Sequence, residues 1–206
     1  MSKIKLLRFV ICGFIFALGF VPAAHATPTT VSFTSTSFDP YSIGHDSFKL
    51  YGMSGSVSLD SMTPTFHIPI NSAEFTVGSC PFPFRTCTGN GTIPSGFFLT
   101  LGSGPGSDGH FLHQPVNWTE TFSVDTAIAD PTAPVLFVLN GIGSWYVSLD
   151  PYTLQSAGGT VGMRVTADFT PVPGSFPSAT PEPTSVMLFG TGLLSIVLLL
   201  RKNLLA

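Results

Sequence analysis

Thr160-Val161-Gly162-Met163-Arg164-Val165-Thr166-Ala167-Asp168-Phe169 is the stretch that decides the fold class, because Val161, Met163 and Val165 alternate with Gly162 and Arg164. Successive side chains of a strand point to opposite faces, so this order gives one apolar and one polar face, which a helical period cannot do. Gly158-Gly159 before it is a turn signal. Outward from this strand the same pattern recurs. Further strands are predicted over Thr30 to Phe38, Ser47 to Tyr51, Ser54 to Leu59, Thr65 to Ile70, Ala73 to Val77, Gly96 to Leu101, Trp118 to Val124, Val135 to Leu139 and Ser144 to Leu149. Asp39-Pro40, Gly89-Asn90-Gly91, Gly102 to Gly109, Asn140-Gly141 and Asp150-Pro151 are read as the turns between them. No capped, helix-periodic segment interrupts this series. The expectation is an all-β domain, an antiparallel β-sandwich of jelly-roll type, with an irregular β-barrel as the alternative.

Two apolar termini fall outside this domain. Lys3, Lys5 and Arg8 precede the apolar stretch Phe9 to Val21, and Ala24-His25-Ala26 places small residues where a signal peptidase reads them. Residues 1–26 are therefore expected to form a signal peptide, helical in its apolar part and cleaved after Ala26. The domain is expected to span residues 27–170, a length that supports one hydrophobic core. Residues 171–180 hold Pro171, Pro173 and Pro177 among Gly and Ser and read as a stiff linker.

Between residues 27 and 180 stand three basic residues (Lys49, Arg85, Arg164) against ten acidic ones, a net of −7 where the whole chain carries −3. A nucleic-acid surface needs clustered Lys and Arg to displace counterions, so nucleic acid is excluded as a partner. Cys80 and Cys87 are expected to close a small disulfide loop once the chain reaches an oxidising compartment.

Little in the domain points to chemistry. Gly104-Pro105-Gly106-Ser107-Asp108-Gly109 has the spacing of a dinucleotide loop, but no helix follows to receive phosphates, and it reads as a turn. His110 and His113, with Asp108, His45 and His67, do not form a recognisable ligand spacing, and no metal or cofactor is expected. Asp125 and Asp130 would serve glycoside hydrolysis only at a catalytic separation, and no nucleophile elbow is present, so no catalytic residue is assigned and no enzyme is expected. Trp118, Trp145, Tyr146 and Tyr152 are the candidate sugar-stacking faces, with burial in the core as the plainer alternative.

After the linker come Pro181-Glu182-Pro183, the apolar run Val186 to Leu200 and the basic pair Arg201-Lys202. The run is just long enough to span a bilayer as a helix, with the basic end on the cytoplasmic side. This order of triplet, short span with Gly192-Leu193, and basic end resembles the PEP-CTERM sorting domain of Gram-negative bacteria over residues 181–206. The resemblance implies that Pro181, Glu182 and Pro183 form the recognition triplet of a membrane-embedded exosortase. It also implies an inner-membrane-anchored intermediate, then transfer to the cell surface or an exopolysaccharide matrix. A structural or adhesive role follows as the first expectation, with a carbohydrate-binding module second and an exported hydrolase third.

Overall fold

The computed structural model describes residues 28–79, 87–121, 123–177 and 191–192. Thr27–Pro177 forms one compact unit, and within it the described chain is all-β, with every strand pairing antiparallel. Fourteen strands are present among the described residues: β1 Thr29–Ser35, β2 Phe38–Ile43, β3 Asp46–Gly52, β4 Ser54–Leu59, β5 Thr65–Val77, β6 Gly89–Ile93, β7 Gly96–Leu101, β8 Asp108–His113, β9 Val116–Glu120, β10 Asp125–Ala129, β11 Val135–Leu139, β12 Gly143–Leu149, β13 Tyr152–Ser156 and β14 Gly159–Pro171. They form three sheets, in the orders β4-β1-β7-β8, β13-β10-β9-β6 and β11-β12-β14-β5-β3-β2.

The deciding stretch lies in β14, between β12 and β5 in the six-stranded sheet. Val165, Ala167 and Phe169 are buried there, together with Phe48 and Leu50 of β3, Ala73 and Phe75 of β5, and Val147 and Leu149 of β12. The other face carries Arg164, Thr166 and Asp168 beside Glu74 and Lys49 and stays at least partly open to solvent. β1 and β4 lie against β5, β13 against β5 and β14, and β8 against β11, so both small sheets cover the apolar face of the large one. A single hydrophobic core results.

A long bent hairpin connects the two small sheets. The pairings Gly89↔Glu120 to Ile93↔Val116 and Gly96↔His113 to Leu101↔Asp108 keep one register on both sides of a kink. Continuing that register sets Pro94 opposite Pro115 and Ser95 opposite Gln114. Neither proline can donate to the ladder, so the ribbon breaks there and its halves enter different sheets. Ser95 Oγ donates to Gln114 O, and Gln114 N donates to Ser95 O at 3.0 Å, which closes the break. The Gln114 amide then donates to Asp130 O at 3.1 Å and to Asp150 O at 2.8 Å. Those carbonyls lie where a second bent ribbon, β10-β11 against β12-β13, crosses between sheets. One buried side chain therefore ties both corners together.

Several sequence expectations change in this light. Thr65 to Ile70 and Ala73 to Val77 are one strand, β5, which shifts register against β14. Asp39-Pro40 is no turn: it lies inside edge strand β2, where the pairing slips between Phe38 and Tyr41, a place that tolerates a residue without an N–H. Gly89-Asn90-Gly91 is likewise strand. A Cβ on Gly91 would fall 2.8 Å from Trp118 Nε1 and one on Gly89 2.8 Å from the same indole, so these glycines make room for a cross-strand ring. Gly96 and Gly109 do the same for Phe111 and Phe98. The expected linker also starts later. Val172 N donates to Ser144 O at 2.9 Å, Ser144 N to Ser175 Oγ at 3.0 Å, and Phe176 packs edge-on to Trp145 at 5.0 Å. The folded unit therefore ends at Pro177 and not at residue 170.

Candidate functional site

The four aromatic residues proposed for sugar stacking do not share a surface. Trp145 on β12 is 1 % exposed and Tyr152 on β13 is 6 % exposed, because both point to the inner face of their sheets. Trp145 Nε1 donates to Asp60 O at 3.3 Å, while Tyr152 Oη is buried with no hydrogen-bond partner, and burial pushes its hydroxyl far above the ordinary tyrosine value. Trp118 is half-buried over Gly89 and Gly91. Only Tyr146, at 43 %, presents its ring to solvent, next to Leu136 across the β11-β12 pair. Strand alternation separates Trp145 from Tyr146 by one position and hence by one sheet face.

The histidines go to separate places. His110 Nε2 lies 3.1 Å from Asp108 Oδ2, which also accepts from Val138 N at 2.7 Å. Burial works against the Asp108 carboxylate, yet these two partners outweigh it and hold its pKa below the ordinary value. His113 packs against Phe111 instead. His67 sits on β5 with φ of +55°, a left-handed conformation unusual for a residue with a side chain. Its N–H donates to Asp168 Oδ1 at 2.8 Å, and Nδ1 lies 2.9 Å from Asp150 Oδ2, which also accepts from Thr166 Oγ1 at 2.5 Å. The hydrogen bond to Asp150 and the charges of Asp150 and Asp168 raise the His67 pKa. His67, Asp150 and Asp168 are close enough to hold an ion, but each is already committed to a hydrogen bond and His67 is exposed.

A second convergence is buried. Asp46 opens β3, Glu120 closes β9 and Asp125 opens β10, and each contributes a carboxylate oxygen that lies within 4.8 Å of the other two. They are 2 %, 8 % and 7 % exposed. Asp46 Oδ1 accepts from Gly78 N at 3.1 Å and Asp125 Oδ1 from Thr121 N at 2.8 Å. Asp46 Oδ2 has no partner. Burial pushes the Asp46 carboxyl up, and neighbouring Asp125 adds to this against the Gly78 N–H and the charge of His45; Glu120 is likewise raised by burial, then by Asp46 and Asp125, against His45. Asp130, the acid that sequence reasoning set beside Asp125, contributes its backbone carbonyl to the Gln114 corner.

The terminal signals lie elsewhere in the chain. Ala24, Ala26, Cys80 and Pro181-Glu182-Pro183 are outside the described residues, as is the expected span apart from Thr191 and Gly192. Among the described residues no helix is long and apolar enough to cross a membrane. Residues 179–202 match the family model of the PEP-CTERM protein-sorting motif. The chain therefore carries this motif where the triplet, the apolar run and the basic end stand, and the motif supports reading it as an exported protein sorted by an exosortase through a membrane-anchored intermediate. No curated protein and no solved structure matches the chain.

Proposed function

We propose that this chain is a non-enzymatic structural or adhesive protein of the cell surface or exopolysaccharide matrix. In this reading a signal peptide cleaved after Ala26 directs export, and the Val186 to Leu200 span holds the chain in the inner membrane. An exosortase then acts at Pro181-Glu182-Pro183. The observation that carries the reading is the sorting-motif match at residues 179–202. The β-domain, taken as a sandwich of jelly-roll type stapled by a Cys80–Cys87 disulfide, would be the delivered part. Its low charge and its all-antiparallel sheets, with one polar face on the largest, suit a passive extracellular module. A carbohydrate-binding module is the weaker reading, since of its four aromatic residues only Tyr146 is well exposed. The hydrolase reading is weaker still, because the one tight cluster of acids among the described residues is closed to substrate by burial.

Fractionation of the native host with an antibody to the β-domain tests this. Wild-type protein is expected in the surface and matrix fraction, and Glu182→Ala in the inner membrane. Wild-type protein retained in the inner membrane would overturn the proposal.

A further inference from the structure

We propose that Asp46, Glu120 and Asp125 form a calcium site that joins the start of β3 to the β9-β10 turn. Three carboxylates converge from two sheets, each more than nine-tenths buried. Convergence alone would be weak ground, since acids also gather by sharing protons. The stronger observation is what the oxygens lack. Asp46 Oδ2 is sealed from solvent with no hydrogen-bond donor, and Glu120, whose oxygens are not so sealed, accepts no hydrogen bond among the described residues. None of the ion pairs among those residues involves the three acids. Lys49 instead lies over the Tyr51 ring, at 4.5 Å. A buried carboxylate oxygen without a donor is costly, and a group so placed is ordinarily paired, protonated or bound to a metal; nearby His45 favours the ionised form of Asp46 and Glu120 but makes no ion pair with either.

The donors favour calcium. Calcium takes six to eight oxygen ligands at about 2.3–2.6 Å in flexible geometry, and three oxygens within 4.8 Å of one another are compatible with sharing one such ion. Magnesium, at about 2.0–2.1 Å in a strict octahedron and reluctant to shed water, suits a site built of several protein carboxylates less well. The donor set is all oxygen, which disfavours zinc and copper. Asp125 arrives pre-positioned, since its carboxylate holds Thr121 N and the Thr121 hydroxyl closes the turn onto Val124. The ion would cross-link two sheets at a second place, beyond the corner that Gln114 holds.

The test uses the full chain purified in detergent, stripped with a chelator and dialysed, with calcium content measured by plasma emission and unfolding followed by tryptophan fluorescence. One calcium per chain is expected, with a midpoint raised by roughly 5–10 °C at about a hundredfold excess over Kd. Glu120→Gln and Asp125→Asn should bind about tenfold more weakly or worse, while Asp130→Asn, outside the cluster, should bind like wild type. In chelator, Glu120→Gln should unfold as cooperatively as wild type, which separates lost binding from lost folding. An unchanged wild-type midpoint from chelator to millimolar calcium would overturn the site. So would wild-type affinity in Glu120→Gln, or magnesium raising the midpoint as much as calcium at equal concentration.

Discussion

Two buried polar clusters flank β9, and they are built on opposite terms. At its start, Ser95 and Gln114 close the kink of the long hairpin with each donor aimed at a backbone carbonyl, and Gln114 reaches Asp130 O and Asp150 O as well. At its end, Glu120 joins Asp46 and Asp125 in a group composed of acceptors, two of them held by single backbone N–H groups. The first cluster is complete within the protein. The second is complete only with a cation or with protons. Polar burial thus has two meanings here: satisfied, it fixes how the chain turns between sheets, and unsatisfied, it marks a place for a ligand.

The contrast can be broken at several points. Gln114→Ala should have the largest effect, leaving two corner carbonyls unpaired and costing roughly 2–4 kcal/mol in denaturant unfolding; a loss near zero would mean that the corners do not need the amide. Ser95→Ala removes one donor at the same kink and should cost about 1–2 kcal/mol by the same measurement. Glu120→Gln in chelator should go the other way, leaving stability unchanged or raised by no more than about 1 kcal/mol, since it removes a charge from a repulsive group. A marked loss there would place Glu120 with Gln114 as a structural residue.

The smallest effect should come from His67, which is exposed. Its pKa is raised in the folded state, so its contribution is full below the ordinary histidine value of about 6.5 and is lost as pH rises through the raised value. His67→Asn should flatten the stability profile above the ordinary histidine value of about 6.5. An identical slope in both proteins would show that the Asp150 contact carries no linkage.

Alternation made the large sheet readable, since Val165 to Phe169 of β14, Trp145 to Leu149 of β12 and Asp46 to Leu50 of β3 each bury every second residue. The strands that escaped notice are those whose residues carry turn chemistry for another reason. In β6 and β8 the glycines lie under Trp118 and Phe98, and no local rule separates a glycine that bends the chain from one that admits a ring. β10 and β13 are five residues each, too short for a period to stand out. Burial in the core was the plainer reading of all four aromatic residues, but that Trp145 and Tyr152 lie inside and Tyr146 outside depends on register, which sets the face of every residue in a strand. Asp46, Glu120 and Asp125 come together only through three-dimensional pairing; Asp125 was noticed, but with Asp130 as its supposed partner. The sorting triplet was the reverse case, legible because its signal is linear and needs no fold.

Intact mass spectrometry of the mature protein from its native host, wild type against Glu182→Ala, tests the central claim most directly. Exosortase sorting predicts a wild-type chain that begins at Thr27 and lacks the residues beyond Pro181-Glu182-Pro183, with the C-terminal segment retained in the variant. The same intact C-terminus in both proteins would contradict it and leave the chain as a simple membrane-anchored β-domain.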